Sequence, residues 1–387
     1  MPPSRIPPLL QPYTRLPTKD SLILLTSVLG ASTNWLVIRF LCGALSSAHA
    51  SKDGGDGVGK LSDEFSGARE EEGESAVVLA SWMRDWEFWR AEGRKAGGLD
   101  LARLAQQRRF AFVDGLTHLF MPPVESPPSA SPAMPQQQQT TPPHTSPLPL
   151  RAPRAIPPRA PLVPGRQPAP GTLTPAASRP TAAATTTTPT PSPPQSQFKL
   201  TSPSLHHTET VIQQAIAHVT APSPGKSSPK KVLLVLDNPD LLLAAAGSLP
   251  TTSPCRQDHI DAPSLLATLL HLRQHVHAAV VALAADAPLV APSLSSAAAA
   301  PLLPLETRHA ALVVGVGHVA AWTMGLRLLD TGVAADVSGV VRITRGDADL
   351  EDGDEEKGEK GEKELLYFVG WDGGVRVFER GAGVGAG

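Results

Sequence analysis

Five stretches of this chain are apolar for the length of a strand and show no alternation with polar positions: "SLILLTSVL" at 21–29, "SAVVLASW" at 75–82, "FAFVDG" at 110–115, "KKVLLVLD" at 230–237 and "HAAVVALAAD" at 277–286. A strand covered on both faces reads this way, because neither side turns to water. Between them lie stretches with apolar residues at helical intervals. "NWLVIRFLCGAL" follows the first, and "MRDWEFWRAEGRKA" follows the second and stops at Gly97 and Gly98. "LDLARLAQQRR" predicts a short helix with Leu99 and Ala102 to Ala105 turned inward. "TETVIQQAIAHV" predicts one capped by Thr208, and "SLLATLLHLRQHV" another. The segment "TRHAALVVGVGHVAAWTMGLRLLD" fits either a helix or a strand plus a helix. "GVVRITRG" and "ELLYFVGWDGGVRVFER" read as antiparallel strands, with Asp372 and Gly373 at a turn. Apolar strands alternating with helices imply an α/β domain with a mostly parallel central sheet, closed by a C-terminal antiparallel hairpin. No repeat of fixed period interrupts this order.

The stretch from Leu22 to Leu45 is apolar enough to raise the question of a membrane span or a secretory signal. Asn34 and Arg39 fall in its middle, where hydrocarbon would penalise both. A proline-rich stretch precedes it and an acid, Asp20, borders it, unlike the start of a signal peptide. Strand, glycine turn and helix is the reading that remains, with Gly30 at the turn.

Composition limits how much of the 387 residues can pack, since 41 are proline and 32 glycine. One single domain of roughly two hundred ordered residues is expected, still ample for a core. Flexible insertions are expected at 48–75, 121–205 and 287–304, and an acidic loop at 347–364. The long Pro/Ser/Thr tract has too few large apolar groups to offset the entropy of ordering it. A net charge of -2 excludes a generally basic nucleic-acid binder. Cys42 and Cys255 are the only cysteines, which excludes a disulfide framework and a four-cysteine zinc site and suits a reducing compartment.

The strand–glycine–helix order is the setting of a phosphate-binding loop, which needs Gly, Lys and Ser/Thr at its end. Counting from Gly30 places Trp35, Leu36 and Val37 there. The shape is kept and the cation is missing. "GGDGVGKL" at 54–61 has glycine and lysine but Leu61 in place of the hydroxyl and no strand before it. "GKS" at 225–227 precedes a strand instead of following one. Asp237 closes "VLLVLD" as a magnesium-holding acid does, or as a plain cap of the next turn. Asp85 and Asp114 also follow apolar strands and read as structural. His271 and His275 have the spacing of two metal ligands, but Leu272 stands where a metalloprotease carries Glu and no third ligand is evident. They read as surface histidines. No nucleophile elbow or activated cysteine is present. Catalytic, cofactor and metal sites are accordingly assigned to no residue.

"SWMRDWEFW" at 81–89 holds half of the six tryptophans. It reads either as core or as a subunit contact, because aromatics beside arginines such as Arg84 and Arg90 are what interface centres use. The contact would consist of Trp82, Arg84, Asp85, Trp86 and Trp89. Arg151, Arg154, Arg159, Arg166 and Arg179 have no acid among them, so the tract that carries them is either a solvated linker or an RNA-binding arm.

Three segments, "IPPLLQPYTRLPTKDSLILLTSVLGASTNWLVIRFLCGAL", "VVLASWMRDWEFWRAEGRKAGGLDLARLAQQRRFAFVDGLTHLF" and "VLLVLDNPDLLLAA", together resemble the Elongator complex protein 6 family of the fungal type. The resemblance implies a RecA-like three-layer fold with a degenerate phosphate loop, and a non-catalytic subunit without cofactor. It further implies assembly with Elongator complex proteins 4 and 5 into a hetero-hexameric ring. That ring would bind tRNA and join the catalytic Elongator subunits, which modify wobble uridines. Its expected place is the cytoplasm, with the nucleus a second compartment, and no membrane is involved. The rival expectations are a P-loop-type ATPase with nucleotide held at a mixed subunit interface, and a membrane-anchored protein. The proline-rich insertion is longer than the resemblance leads one to expect.

Overall fold

Each of the five apolar runs becomes a strand of a single sheet, and the helical stretches cover both of its faces. The computed structural model describes residues 6–46, 74–119, 196–222, 230–247, 260–290, 303–330, 332, 334–346 and 362–380. A 3-10 turn at Pro8–Leu10 leads into α1 (Gln11–Thr14), β1 (Ser21–Ser27), α2 (Asn34–Ser46) and β2 (Ser75–Ser81). Next come α3 (Trp86–Glu92), a π-helical turn (Gly93–Gly97), α4 (Leu101–Gln106), β3 (Phe110–Asp114) and β4 (Gln197–Lys199). The order continues with α5 (Leu205–Thr220), β5 (Lys231–Asp237), α6 (Leu241–Gly247), α7 (Ala262–Gln274), β6 (Ala278–Ala284) and α8 (Ala287–Val290). It ends with α9 (Pro304–Val319), β7 (Trp322–Arg327), β8 (Gly339–Arg345), β9 (Lys363–Val369) and β10 (Val375–Glu379). All these residues belong to one compact unit formed by Met1–Pro123 and Pro193–Gly387; the second unit, Val124–Ser192, lies outside the described residues.

The strands run β10-β9-β8-β7-β1-β6-β5-β2-β3-β4. From β7 to β4 every pairing is parallel, and from β7 to β10 every pairing is antiparallel. Successive residues of a strand point to opposite faces, so Leu22 and Leu24 of β1 join one core while Ile23 and Leu25 join the other. On the first face lie α5, α6, α7 and α9, through residues such as Ile212, Leu242, Leu269 and Leu312. On the second lie α1 to α4, through Tyr13, Leu36, Phe40, Trp89 and Leu101. This is the three-layer, mostly parallel α/β architecture with the expected C-terminal antiparallel strands.

The apolar stretch at 22–45 finds its explanation here. A helix that is apolar all round is either in lipid or enclosed by protein, and α2 is enclosed. Leu36, Val37, Ile38, Phe40 and Leu41 are each at most 1% exposed, each burial contributing about 1.5–3 kcal/mol. Arg39, 1% exposed, donates from its two terminal nitrogens to the carbonyls of Ala96 at 2.6 Å and Gly373 at 3.0 Å, so the charge-bearing group that spoke against lipid is held by protein. Gly373, at φ +79, approaches so closely that a Cβ there would sit 2.8 Å from Ala96 Cβ. Among the described residues no helix is long and apolar enough to cross a membrane.

Several local expectations are corrected. α5 starts at Leu205, and Thr208 is buried inside it instead of capping it; Ser204 holds the cap position. The apolar Leu205 packs against the core, so the helix extends beyond the polar residue that seemed to begin it. In α4 the inward pair is Leu101 and Ala105, one turn apart, whereas Arg103 is exposed. The ambiguous 307–330 segment is a helix followed by a strand, because Trp322 to Gly325 pair with Ile23 to Thr26 of β1. α3 begins at Trp86, later than the pattern suggested, since Asp85 is extended and accepts from Phe88 N at 2.8 Å.

Of the expected insertions, 48–73, 121–195, 291–302 and 347–361 lie outside the described residues. At their borders order reaches further than expected: Gln197–Lys199 adds a strand beside β3, Ala287–Val290 is helical, and β9 starts at Lys363.

Candidate functional site at the strand C-termini

In open parallel sheets, ligands bind outside the carboxyl ends of the strands. Here that rim is formed by the segments that leave β1, β2, β3, β5, β6 and β7. The β1–α2 connection is a tight turn. Ala31 N donates to Val28 O at 2.8 Å, closing an antiparallel bridge, and Gly30 takes φ +91 between them. Leu29 N donates to Asp286 Oδ1 at 2.8 Å, so a carboxylate from beyond β6 already holds an amide that a phosphate would need. Asn34 N is taken by Ser32 Oγ, and the amides of Leu36 and Val37 by Thr33 O. The first turn of α2 then presents Trp35, Leu36 and Val37, 7%, 0% and 0% exposed. Trp35 packs against Tyr367 with ring centroids 4.8 Å apart. A lysine at position 36 would be aimed into apolar core.

The acid at the end of β5 is kept, but sealed. Asp237 is fully buried and accepts from Ser81 Oγ at 2.7 Å, while Ser81 Oγ accepts from Arg84 N at 2.9 Å. Burial pushes the Asp237 carboxyl up to about 6, against the pull of the Ser81 hydrogen bond and Arg84, and nearby Asp240 adds to the rise. Three residues on, Asp240 Oδ2 lies 3.0 Å from His309 Nε2 of α9, both side chains 5% exposed. Asp237 Oδ1, Asp240 Oδ1 and His309 Nδ1 have no hydrogen-bond partner among the described residues. Neither Ser81 nor Asp237 is open to a substrate, and among the described residues no group of three or more His, Cys, Asp or Glu could hold a metal ion. Asp85 and Asp114 each hold a local backbone turn. Asp85 caps α3, and Asp114 accepts from Leu116 N and Thr117 N at 3.0 and 2.9 Å.

The rim also exposes four large apolar groups. Leu29 (87%), Met83 (39%), Leu116 (41%) and Leu328 (47%) each stand just past the C-terminal residue of β1, β2, β3 and β7. Leu29 and Leu328 flank Gly30, where an added Cβ would be 3.3 Å from Leu328 Cδ1. These four residues were not singled out from sequence; the available signal was a large apolar group directly after a strand, where a ligand loop would carry glycine or polar residues.

The tryptophan segment divides. Trp82 lies beyond β2 and not on the helix, and is 2% exposed in one core; Trp89 is 0% exposed in the other. Both are consumed by the chain itself, so as members of a partner surface they are corrected. Trp86 is half-buried against Phe110 and Phe112, at 6.1 and 5.8 Å. Arg84 is half-buried and stacked 5.2 Å over Phe88, and Asp85 is the exposed member of that set. Arg151, Arg154, Arg159, Arg166 and Arg179 lie outside the described residues.

A mostly parallel sheet with its first strand innermost, a turn after that strand in the place of a phosphate loop, and an acid closing a strand two positions away define a RecA-like α/β domain with a degenerate phosphate loop. No protein-family model and no curated protein matches the chain. Among solved structures, a KaiC-like protein of the hyperthermophilic archaeon Pyrococcus horikoshii OT3 is similar over 93% of this chain and 90% of its own, at 10% identity and a TM-score of 0.42. At that level the class rests on the chain's own topology.

Proposed function

We propose that this chain is a non-catalytic RecA-like subunit whose working parts are surfaces for neighbours, of the Elongator complex protein 6 kind. It joins Elongator complex proteins 4 and 5 in a hetero-hexameric ring that binds tRNA and supports wobble-uridine modification by the catalytic subunits. One observation carries the reading: on the rim where a nucleotide would sit, Asp286 takes the Leu29 amide, and exposed Leu29, Met83, Leu116 and Leu328 stand in place of phosphate ligands. Exposed apolar groups gathered on one rim favour a protein contact over a solvated one. The resemblance of the three quoted segments supplies the particular partners.

Co-expression with Elongator complex proteins 4 and 5 tests this. A ring containing all three is the expected product, and Leu29→Asp with Leu328→Asp weakens it. A monodisperse monomer indifferent to both proteins would refute the reading. The ATPase alternative predicts saturable magnesium-dependent ATP binding by calorimetry on the chain, where none is expected.

A further inference from the structure

The two histidines spaced four apart on α7 are joined to each other and to a neighbouring helix. His271 Nε2 and His275 Nε2 lie 3.4 Å apart, their rings edge to face at 79°. On the far side of the first ring, His271 Nδ1 is 2.6 Å from Glu209 Oε1 of α5, and the same oxygen accepts from Gln213 Nε2 at 3.0 Å. An Nδ1–H donated to a carboxylate fixes the tautomer and leaves the Nε2 lone pair facing His275. This carboxylate–imidazole arrangement is how proteins orient metal-ligating histidines.

The spacing agrees with that role. At metal–nitrogen distances of about 2.0–2.1 Å, two ligands of a tetrahedral ion are about 3.3–3.4 Å apart. His275 stands at the C-cap of the 13-residue α7, where the carbonyl end of a helix favours positive charge. The contact faces solvent, with the His271 side chain 49% exposed, so an ion can enter.

We propose that His271 and His275 form a two-imidazole chelate for a d-block divalent ion of the zinc, nickel or copper type, with Glu209 as its positioning residue. Nitrogen donors select this class over magnesium and calcium, which take oxygen ligands. The chain contributes two donors, and the remaining positions fall to water or to a donor from another molecule. The site shares no residue with the strand rim, so it stands independently of the proposed function.

A hydrogen bond between the two rings would give the same 3.4 Å with no ion, and titration separates the two. Full-length, chelator-treated protein is titrated calorimetrically with zinc chloride alone, beside His271→Gln, His275→Gln, Glu209→Gln and, as a control on α9, His318→Gln. Circular dichroism checks that each variant is folded. One zinc equivalent should be lost in either α7 variant, weakened about 10- to 100-fold in Glu209→Gln, and unchanged in His318→Gln. Copper(II) at one equivalent on the unmodified chain should show paramagnetic coupling to two imidazole nitrogens. The proposal is overturned if the unmodified chain takes up no zinc, if either α7 variant keeps the equivalent at full affinity, or if copper shows fewer than two nitrogens.

Discussion

The turn after β1 and the acid at the end of β5 occupy the two places where a nucleotide hydrolase would hold phosphate and magnesium, and they differ from such a site in opposite ways. At the β1 end the residue types differ: Leu36 and Val37 stand where a cation and a hydroxyl are needed, and Asp286 occupies an amide. At the β5 end the acid is present as Asp237, yet it is buried, held by Ser81 and shifted toward its neutral form. One end differs by residue identity and the other by enclosure. A side chain that is not there cannot be supplied by a movement of the protein, whereas enclosure is only as permanent as the packing.

Introducing a cation at position 36 breaks that contrast most severely if it is wrong. Leu36→Lys should lower stability by on the order of 4 kcal/mol, read as the urea midpoint, because an unpaired ammonium would be buried in the core. It should not create ATP binding. A folded Leu36→Lys chain that binds magnesium-ATP would show that the turn is still a phosphate loop in waiting.

The enclosed end makes a pH-dependent prediction. Asp237 titrates near 3.8 when unfolded and at about 6 when folded, so between these values the folded chain keeps a proton that the unfolded chain releases. Its favourable contribution is complete below the lower value and is lost as pH rises through the upper one, a change of about 3 kcal/mol. Asp237→Asn should therefore match the parent near about pH 4 and gain stability over it by up to about 3 kcal/mol near about pH 7.5. A stability difference independent of pH would show that the carboxylate is not enclosed.

The smallest effect belongs to the turn itself. Gly30→Ala should cost about 1–2 kcal/mol, from the φ of +91 and the contact with Leu328 Cδ1, with no effect on partner affinity beyond that loss. A neutral substitution would mean that the turn is not held in this conformation.

The strands could be read directly because β1, β2, β3, β5 and β6 are enclosed on both faces, which leaves the apolar runs unbroken. The boundary between α9 and β7 could not, since "LVVGVGHVAAWTM" is equally apolar in either period and only pairing with β1 makes Trp322 to Gly325 a strand. Trp82, Trp86 and Trp89 looked like one helical stripe, but Asp85 starts the helix after Trp82, which places Trp82 and Trp89 in cores on opposite faces of the sheet. Asp286 closing the turn at Leu29, 257 residues away, and His309 reaching Asp240, 69 residues away, left no local trace.

Residue identity alone determined the layered α/β order, the Gly30 turn and the absence of a lysine behind it, since these depend on apolar periodicity and on which groups are present. Tertiary structure decided that the central apolar helix is enclosed by protein, that Asp237 is sealed, that the exposed leucines gather on one rim, and that Glu209 meets His271. Those outcomes depend on which distant side chains share a volume, and that is set by sheet order and helix packing.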